Sequence, residues 1–364
     1  MTSLAEPRSL GSWRLLTTGV LIAGVTVLVV GASVDFRSQR IARDFRGAYL
    51  PAAHSVLHGN SPYGPVSNPV GHYLYPPQLA FAVTPFTVFP DRLAGFLAVL
   101  VAAALLILTL RVLRVRDIRC YAALFLWLPT WNEFGMASVS PLLALALAVA
   151  WRYRNSVWPP AAALGLAIPA KLFLWPVLVW TLATRRVRTT LLAVGIGAGV
   201  TLGSWAVIGF AGLASYPEHM RNLDRAGAQA SFSLVAIGLW LGLGSGAANG
   251  LAACIGAALL GGCILLARRG DEERSFLLAI AAALALTPVL WQHYLLILLV
   301  PLGFMRPRFS ALWLLPVVLW VTPSAAYSHG PEKVVPLLVS SLLVAVLLGS
   351  PALRRGPATA EASA

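Results

Sequence analysis

Long apolar runs dominate this chain, and short basic loops punctuate them. Stretches at about Trp13–Gly31, Leu93–Val112, Thr189–Ile208 and Ala248–Arg268 each approach or exceed the ~20 residues that a helix needs to cross a bilayer core. Shorter apolar stretches lie at about Cys120–Trp131, Met136–Trp151, Ala311–Thr322 and Val334–Gly349. Two runs differ in kind. Val157–Thr184 and Phe276–Phe304 are too long for a single span, yet each has arginines at both ends. Arginine marks the cytoplasmic ends of spans, so each run predicts a hairpin of two half-length helices, with apices at 168–171 and 287–293. Half-helices are tolerated only where their ends are buried in protein or line a cavity. The stretch Phe232–Leu243 predicts an interfacial or re-entrant piece.

With Arg8 and Arg14 on the cytoplasmic side, the count comes to about 12 membrane segments with both termini inside. The expected fold is an all-α polytopic membrane protein, a single integral domain over residues 1–364. It carries a large extracytoplasmic loop at 34–91 and a disordered cytoplasmic tail at 350–364. The first apolar run reads either as a signal peptide or as a retained anchor. The equal apolarity of the rest of the chain favours the anchor.

Composition agrees. The chain is 58% hydrophobic and 11% charged, against roughly a quarter charged in ordinary soluble domains. The formal charge of +14 reads as topology, because much of the arginine sits in short loops beside apolar segments; nucleic-acid binding is not needed to explain it. Cys120, Cys254 and Cys263 fall in or beside apolar runs, so no disulfide framework or metal cluster is expected. The chain has no phosphate-binding Gly-Lys-Ser/Thr loop, no GxGxxG after a strand, no HExxH and no Asp-x-Asp pair. That disfavours a nucleotide-sugar enzyme holding a metal between neighbouring carboxylates, and no cofactor is expected.

The first loop breaks the arginine rule. Arg37, Arg40, Arg43 and Arg46 recur every third position in a segment placed outside, and Asp44 falls four residues after Arg40. Two readings stand: an amphipathic helix lying on anionic headgroups, or arginines that bind a phosphate beside a carboxylate base. Of the thirteen acidic residues, Glu6, Asp117, Asp271, Glu272, Glu273 and Glu361 are cytoplasmic by the arginine count, and Asp91 reads as a helix cap. Glu218, in a second outer loop at Gly209–Ser231, is a candidate acceptor contact. Asp44 and Glu133, the latter in an outer turn at Thr130–Gly135, remain the better candidates for chemistry.

Lys171 stands inside an apolar hairpin. A cation in hydrocarbon costs about 3 kcal/mol on insertion scales, so it either faces an anion or snorkels. His293, among Trp291, Gln292 and Tyr294, is either a structural residue or a donor to a phosphate oxygen. Tyr63, Tyr73, Tyr75, Trp131 and Trp291 form an interfacial belt or stack on a sugar.

In order along the chain stand Asp44-Phe45, Tyr49, Gly59-Asn60-Ser61-Pro62-Tyr63, Tyr75-Pro76-Pro77, Ala170-Lys171, Trp175-Pro176, Ser215-Tyr216-Pro217, Thr287-Pro288 and Trp291-Gln292-His293-Tyr294. This succession resembles glycosyltransferase family 87 of the GT-C superfamily, the polyprenyl-phosphate-mannose-dependent mannosyltransferases of mycolate-type bacterial envelopes. The resemblance implies an inverting hexosyl transfer at the plasma membrane, on its extracytoplasmic face, from a polyprenyl-phosphate sugar to a glycolipid or lipoglycan. It implies Asp44 as general base, with Lys171 and His293 beside the lipid phosphate. Arg43 and Arg46 are expected to join them there, and Tyr63, Tyr75, Glu133, Trp291, Gln292 and Glu218 to hold sugar or acceptor. Gly135-Met136 stands where the family has a Gly-Gln pair, and Thr287 where it has Ser. Two alternatives remain: transfer of arabinofuranose, and a lipid or sugar transporter built from broken helices.

Overall fold

A computed structural model of the chain describes residues 18–19, 21–24, 26, 41–63, 73–322 and 330–350. The expected first span falls mostly outside the described residues. So do Arg37, Arg40 and all but the first residue of the expected C-terminal tail.

Fifteen α-helices follow one another among the described residues, and no strand occurs there. They are α1 (Leu50–Leu57), α2 (Pro77–Val83), α3 (Asp91–Val112), α4 (Ile118–Leu126), α5 (Leu128–Met136), α6 (Ser140–Arg152), α7 (Trp158–Ala170) and α8 (Pro176–Ala183). Then come α9 (Val187–Val207), α10 (Tyr216–Ala230), α11 (Leu234–Trp240), α12 (Ser245–Arg268), α13 (Glu272–Leu286), α14 (Leu299–Met305) and α15 (Val334–Gly349). Four helical stretches are long and apolar enough to cross a membrane: α3, α9, α12 and Pro331–Gly349. The other apolar elements are shorter, and several are broken.

Both expected hairpins are present, and each break has a local cause. Helix α7 stops where Lys171 turns extended (φ −149°, ψ 103°); a 3₁₀ turn, Leu172–Leu174, leads to α8, which opens on Pro176. Proline suits that position because its missing N–H is one the first helical turn leaves unpaired anyway. The hairpin's feet meet: Arg186 donates through Nε to the Arg154 carbonyl at 2.7 Å. The second hairpin runs up α13, breaks over Thr287–Trp291 at Pro288, and returns through a 3₁₀ stretch, Gln292–Leu298, and α14. Its feet close through Phe276 and Phe304, ring centroids 6.0 Å apart.

One aromatic cluster clamps both pairs of feet. Trp151, at the end of α6, stacks on Phe304 at 4.2 Å and on Phe276 at 5.3 Å, and lies 6.2 Å from Trp180 of α8. Glu272 adds ion pairs to Arg154 at 3.1 Å and Arg186 at 2.8 Å. The tips meet as well. Phe173 and Tyr294 stack face to face, 5.1 Å apart and 1° from parallel. Helix α7 has thirteen residues, so the tips stand about 20 Å above the arginines.

Small residues set the close crossings. A Cβ on Gly165 of α7 would meet the Ala193 carbonyl of α9 at 2.8 Å, and one on Gly197 of α9 would meet the Gly165 carbonyl at 3.1 Å. Such pairs let apolar helices approach where no hydrophobic force draws them together.

Several expected boundaries change. The stretch 130–135 is not a turn: α5 runs through it, and the reversal comes at Ala137, which is left-handed (φ 50°). Pro129 seats itself in the first turn of α5 after the chain kinks at Trp127, so the apolar run splits into two helices. Tyr216–Ala230, expected as loop, is helix α10. Residues 311–321 are 3₁₀ rather than α-helix. Asp91 is not a cap: Pro90 holds that position, and Asp91 lies in the first turn of α3, where its charge suits the helix dipole. Lys333, just before the last apolar helix, is a second buried lysine, 2% exposed.

Candidate active site

The loop before α1 delivers Asp44 to the hairpin tips. Ala42, left-handed at φ 55°, donates its N–H to the Phe134 carbonyl of α5 at 3.0 Å. The chain then enters a π-turn over Phe45–Tyr49, with the Leu50 N–H bonded to the Phe45 carbonyl. This wider register, rare and common at functional sites, lies between Asp44 and Tyr49. Arg43 reaches the Met136 Sδ at 3.9 Å. Arg46 runs across Gly95 of α3, where a Cβ would sit 2.8 Å from its Cδ.

The carboxylate of Asp44 opens to solvent in a recess dense enough that burial raises its pKa above the ordinary 3.8, while the charges of Lys171 first and Arg43 second pull it back. Lys171 and Asp44 are thus close enough to interact electrostatically. Lys171 also interacts electrostatically with Glu133 of α5. Glu133 is fully buried; its Oε2 accepts from the Ser138 hydroxyl at 3.0 Å, and its Oε1 has no hydrogen-bond partner. The Lys171 Nζ has none either, and lies 3.7 Å from the centroid of Tyr294 and 5.9 Å from that of Tyr75. Buried polar atoms without partners are uncommon, and each asks for an explanation. His293 is buried, with its ring 4.9 Å from that of Tyr294 and within the field of Lys171.

Tyrosines wall the recess on the loop side. Tyr49 lies 5.3 Å from Tyr75 and 6.2 Å from Tyr73. Tyr73 acts as a bolt: its hydroxyl donates to the Pro76 carbonyl at 2.6 Å and accepts the Ala80 N–H at 2.9 Å. Tyr63 donates to the Tyr75 carbonyl at 2.9 Å and packs between Trp205 and His219, each at 5.5 Å. Gly212, at φ +80°, leaves room for that ring: a Cβ there would come within 2.6 Å of Tyr63.

Asp44, Arg43, Glu133, Lys171, His293 and Tyr75 thus gather around the two tips. Tyr63 stands behind them as support. Gln292 has its amide used at both ends, accepting from Asn132 Nδ2 at 2.7 Å and donating to the Thr322 hydroxyl at 2.5 Å, so it ties α5 to residue 322. Trp291 is half-buried beside it. Glu218 is exposed on α10, whereas the next residue, His219, is the one turned inward. Trp131 is a packing residue, its indole donating to the Phe125 carbonyl at 2.8 Å. Tyr49 and Tyr294 were given no role from sequence. Tyr49 follows Asp44 by five positions, a spacing outside the three- and four-residue periods of an α-helical face, and the π-turn brings the two together. Tyr294 adjoins His293 and was legible only as its neighbour. Among the described residues, no three His, Cys, Asp or Glu side chains cluster as a metal ion would require.

A helical protein with several apolar helices long enough to cross a membrane, and with a carboxylate in electrostatic contact with a lysine on a broken helix, has the parts of a membrane-embedded group-transfer enzyme. The model of glycosyltransferase family 87 matches residues 73–291, and the chain belongs to that family. Lys171, Glu133 and Tyr75 lie inside the matched stretch. Asp44 and His293 lie outside it. No curated protein and no solved structure matches the chain.

Proposed function

We propose that this glycosyltransferase moves a hexose, mannose, from a polyprenyl-phosphate donor to a hydroxyl of a cell-envelope glycolipid or lipoglycan. The reaction takes place on the extracytoplasmic face of a bacterial plasma membrane crossed about 12 times. The observation that supports this reading is the electrostatic pairing of Asp44 with Lys171, the residue at which the first hairpin breaks. Asp44 takes the proton of the acceptor hydroxyl as that oxygen attacks the anomeric carbon. The bond from that carbon to the phosphate oxygen breaks, and the configuration inverts. The leaving group is an anion already, so no general acid is required. Negative charge grows on the departing phosphate, and Lys171, His293 and Arg43 or Arg46 stabilise it where water is scarce and each charge counts for more. Tyr75 and Glu133 border the space for the sugar and the acceptor. The donor's lipid tail needs a way in from the bilayer, which suits half-helices better than full spans.

Removing a positioned base costs roughly 10²–10⁴-fold in rate. Asp44→Asn should lose that much transfer from polyprenyl-phosphate-mannose while the protein stays inserted and folded. Glu133→Gln should stay within about tenfold of the parent, well short of the loss of a base. The reverse ranking would make Glu133 the base, and full activity in both variants would end the proposal. Release of polyprenyl phosphate by purified protein without vesicles separates an enzyme from a transporter. Exchanging the donor for polyprenyl-phosphate-arabinofuranose tests the sugar.

A further inference from the structure

At the opposite end of the bundle, two adjoining grooves open between α7 and α9, away from the carboxylates. One, of about 680 Å³, is lined by Val157, Trp158, Leu191 and Leu192, with Arg188 at its edge. The other, of about 410 Å³, includes Arg154, Arg185, Arg186 and Arg188. Val157 and Arg188 belong to both, so an apolar trough runs directly into a basic pocket. Trp158 and Leu191 are each 66% exposed.

The charges in the pocket are unequal. Glu272 neutralises part of the Arg154–Arg186 pair. Arg185 and Arg188 are exposed, and neither has a carboxylate in salt-bridge contact among the described residues. Arg186 has used Nε on the Arg154 carbonyl and Nη2 on Glu272, but its Nη1 is buried with no hydrogen-bond partner. Of the two acids that flank Glu272, Asp271 is held by Arg274 at 2.8 Å, and Glu273 is not among the residues that line the pocket. The pocket therefore keeps a positive excess beside a buried N–H that has no acceptor.

We propose that this composite groove binds one anionic phospholipid of the leaflet at the arginine-rich end. Its phosphate would sit on Arg185 and Arg188, with the Arg186 guanidinium adding its charge from beneath, and its acyl chains along Trp158, Leu191 and Leu192. A free phosphate ion would use only the pocket. A zwitterionic lipid would bring an ammonium against the arginines. A second copy of the chain would set like charge against like. Basic pockets between spans at a membrane surface select anionic headgroups on this ground, at about 1 kcal/mol per arginine near the surface, and tryptophan favours the same depth.

The test uses the full chain in nanodiscs. Native mass spectrometry would compare retention of phosphatidylglycerol and phosphatidylcholine, with soluble glycerol phosphate as competitor. A photo-crosslinking phosphatidylglycerol would map the contact. The parent should retain phosphatidylglycerol preferentially, resist displacement by glycerol phosphate, and crosslink within 157–158 or 185–192. Arg185→Gln with Arg188→Gln should lower that preference roughly 10- to 30-fold, the worth of two surface arginines, with transfer activity as the check on folding. Equal retention of both lipids, equal competition by glycerol phosphate, or crosslinks elsewhere would overturn the proposal. The measurements on the parent decide it even if the double variant fails to fold.

Discussion

Asp44 works under two opposed influences, and each can be read separately. Burial raises its carboxyl above 3.8, and Lys171 and Arg43 limit the rise. The base that we propose must be ionised to act, so the transfer rate should fall on the acid side with a midpoint above that ordinary value. Lys171→Met removes the leading counter-charge. It should move the acid limb to higher pH as well as lower the maximum rate, a shift that loss of packing alone would not give. Stability follows the opposite course. A carboxyl whose folded pKa is raised binds its proton more tightly folded than unfolded, so its contribution is greatest below about 3.8 and is lost as pH rises through the folded value. At neutral pH, Asp44→Asn should therefore melt no lower than the parent, and higher if the carboxylate is strained there. A thermal scan beside the rate assay tests this signature of a functional residue. Asp44, Lys171 and His293 were visible in sequence because charge is scarce in such a chain. The bond from Ser138 to Glu133 and the pairing of Gln292 with Asn132 and Thr322 were not, since they join residues from distant parts of the chain or across an unforeseen helix.

The hairpins are the elements on which the site depends, and their existence was legible from arginine at both ends of runs too long for one span. Their packing was not. Nothing in the local pattern said that Trp151, from a third helix, would lie between the two pairs of feet. Trp151→Ala should cost about 3–5 kcal/mol, as large buried aromatic truncations do, and show as a lower melting temperature. Gly165→Leu should be worse tolerated than the same change at Gly195 of α9, where a Cβ meets nothing within 4 Å; comparing yields of folded protein decides this. The stretch 130–135 makes the same point from the other side. Apolarity continues through Pro129, so Cys120–Trp131 reads as one span, but Pro129 sits in the first turn of a new helix that carries Glu133 into the interior.

At the scale of the molecule, the arrangement separates two tasks by about 20 Å. Arginines, Glu272 and the Trp151 ring cluster fix one end, and carboxylates, Lys171 and the tyrosines occupy the other. Hydropathy and arginine placement revealed that polarity. They were less informative about depth, because 3₁₀ and half-length elements make segment counts ambiguous: four helical stretches have full spanning length. Each hairpin is anchored at its foot and ends in a tip that departs from the α-helical hydrogen-bond ladder, at Lys171 and over Thr287–Trp291. A beam held at one end yields most at the other. Amides at 171–175 and 287–293 should exchange with deuterium well before those of α8 and α13. A bulky, greasy substrate entering sideways would then part the two tips without loosening the footing beneath them.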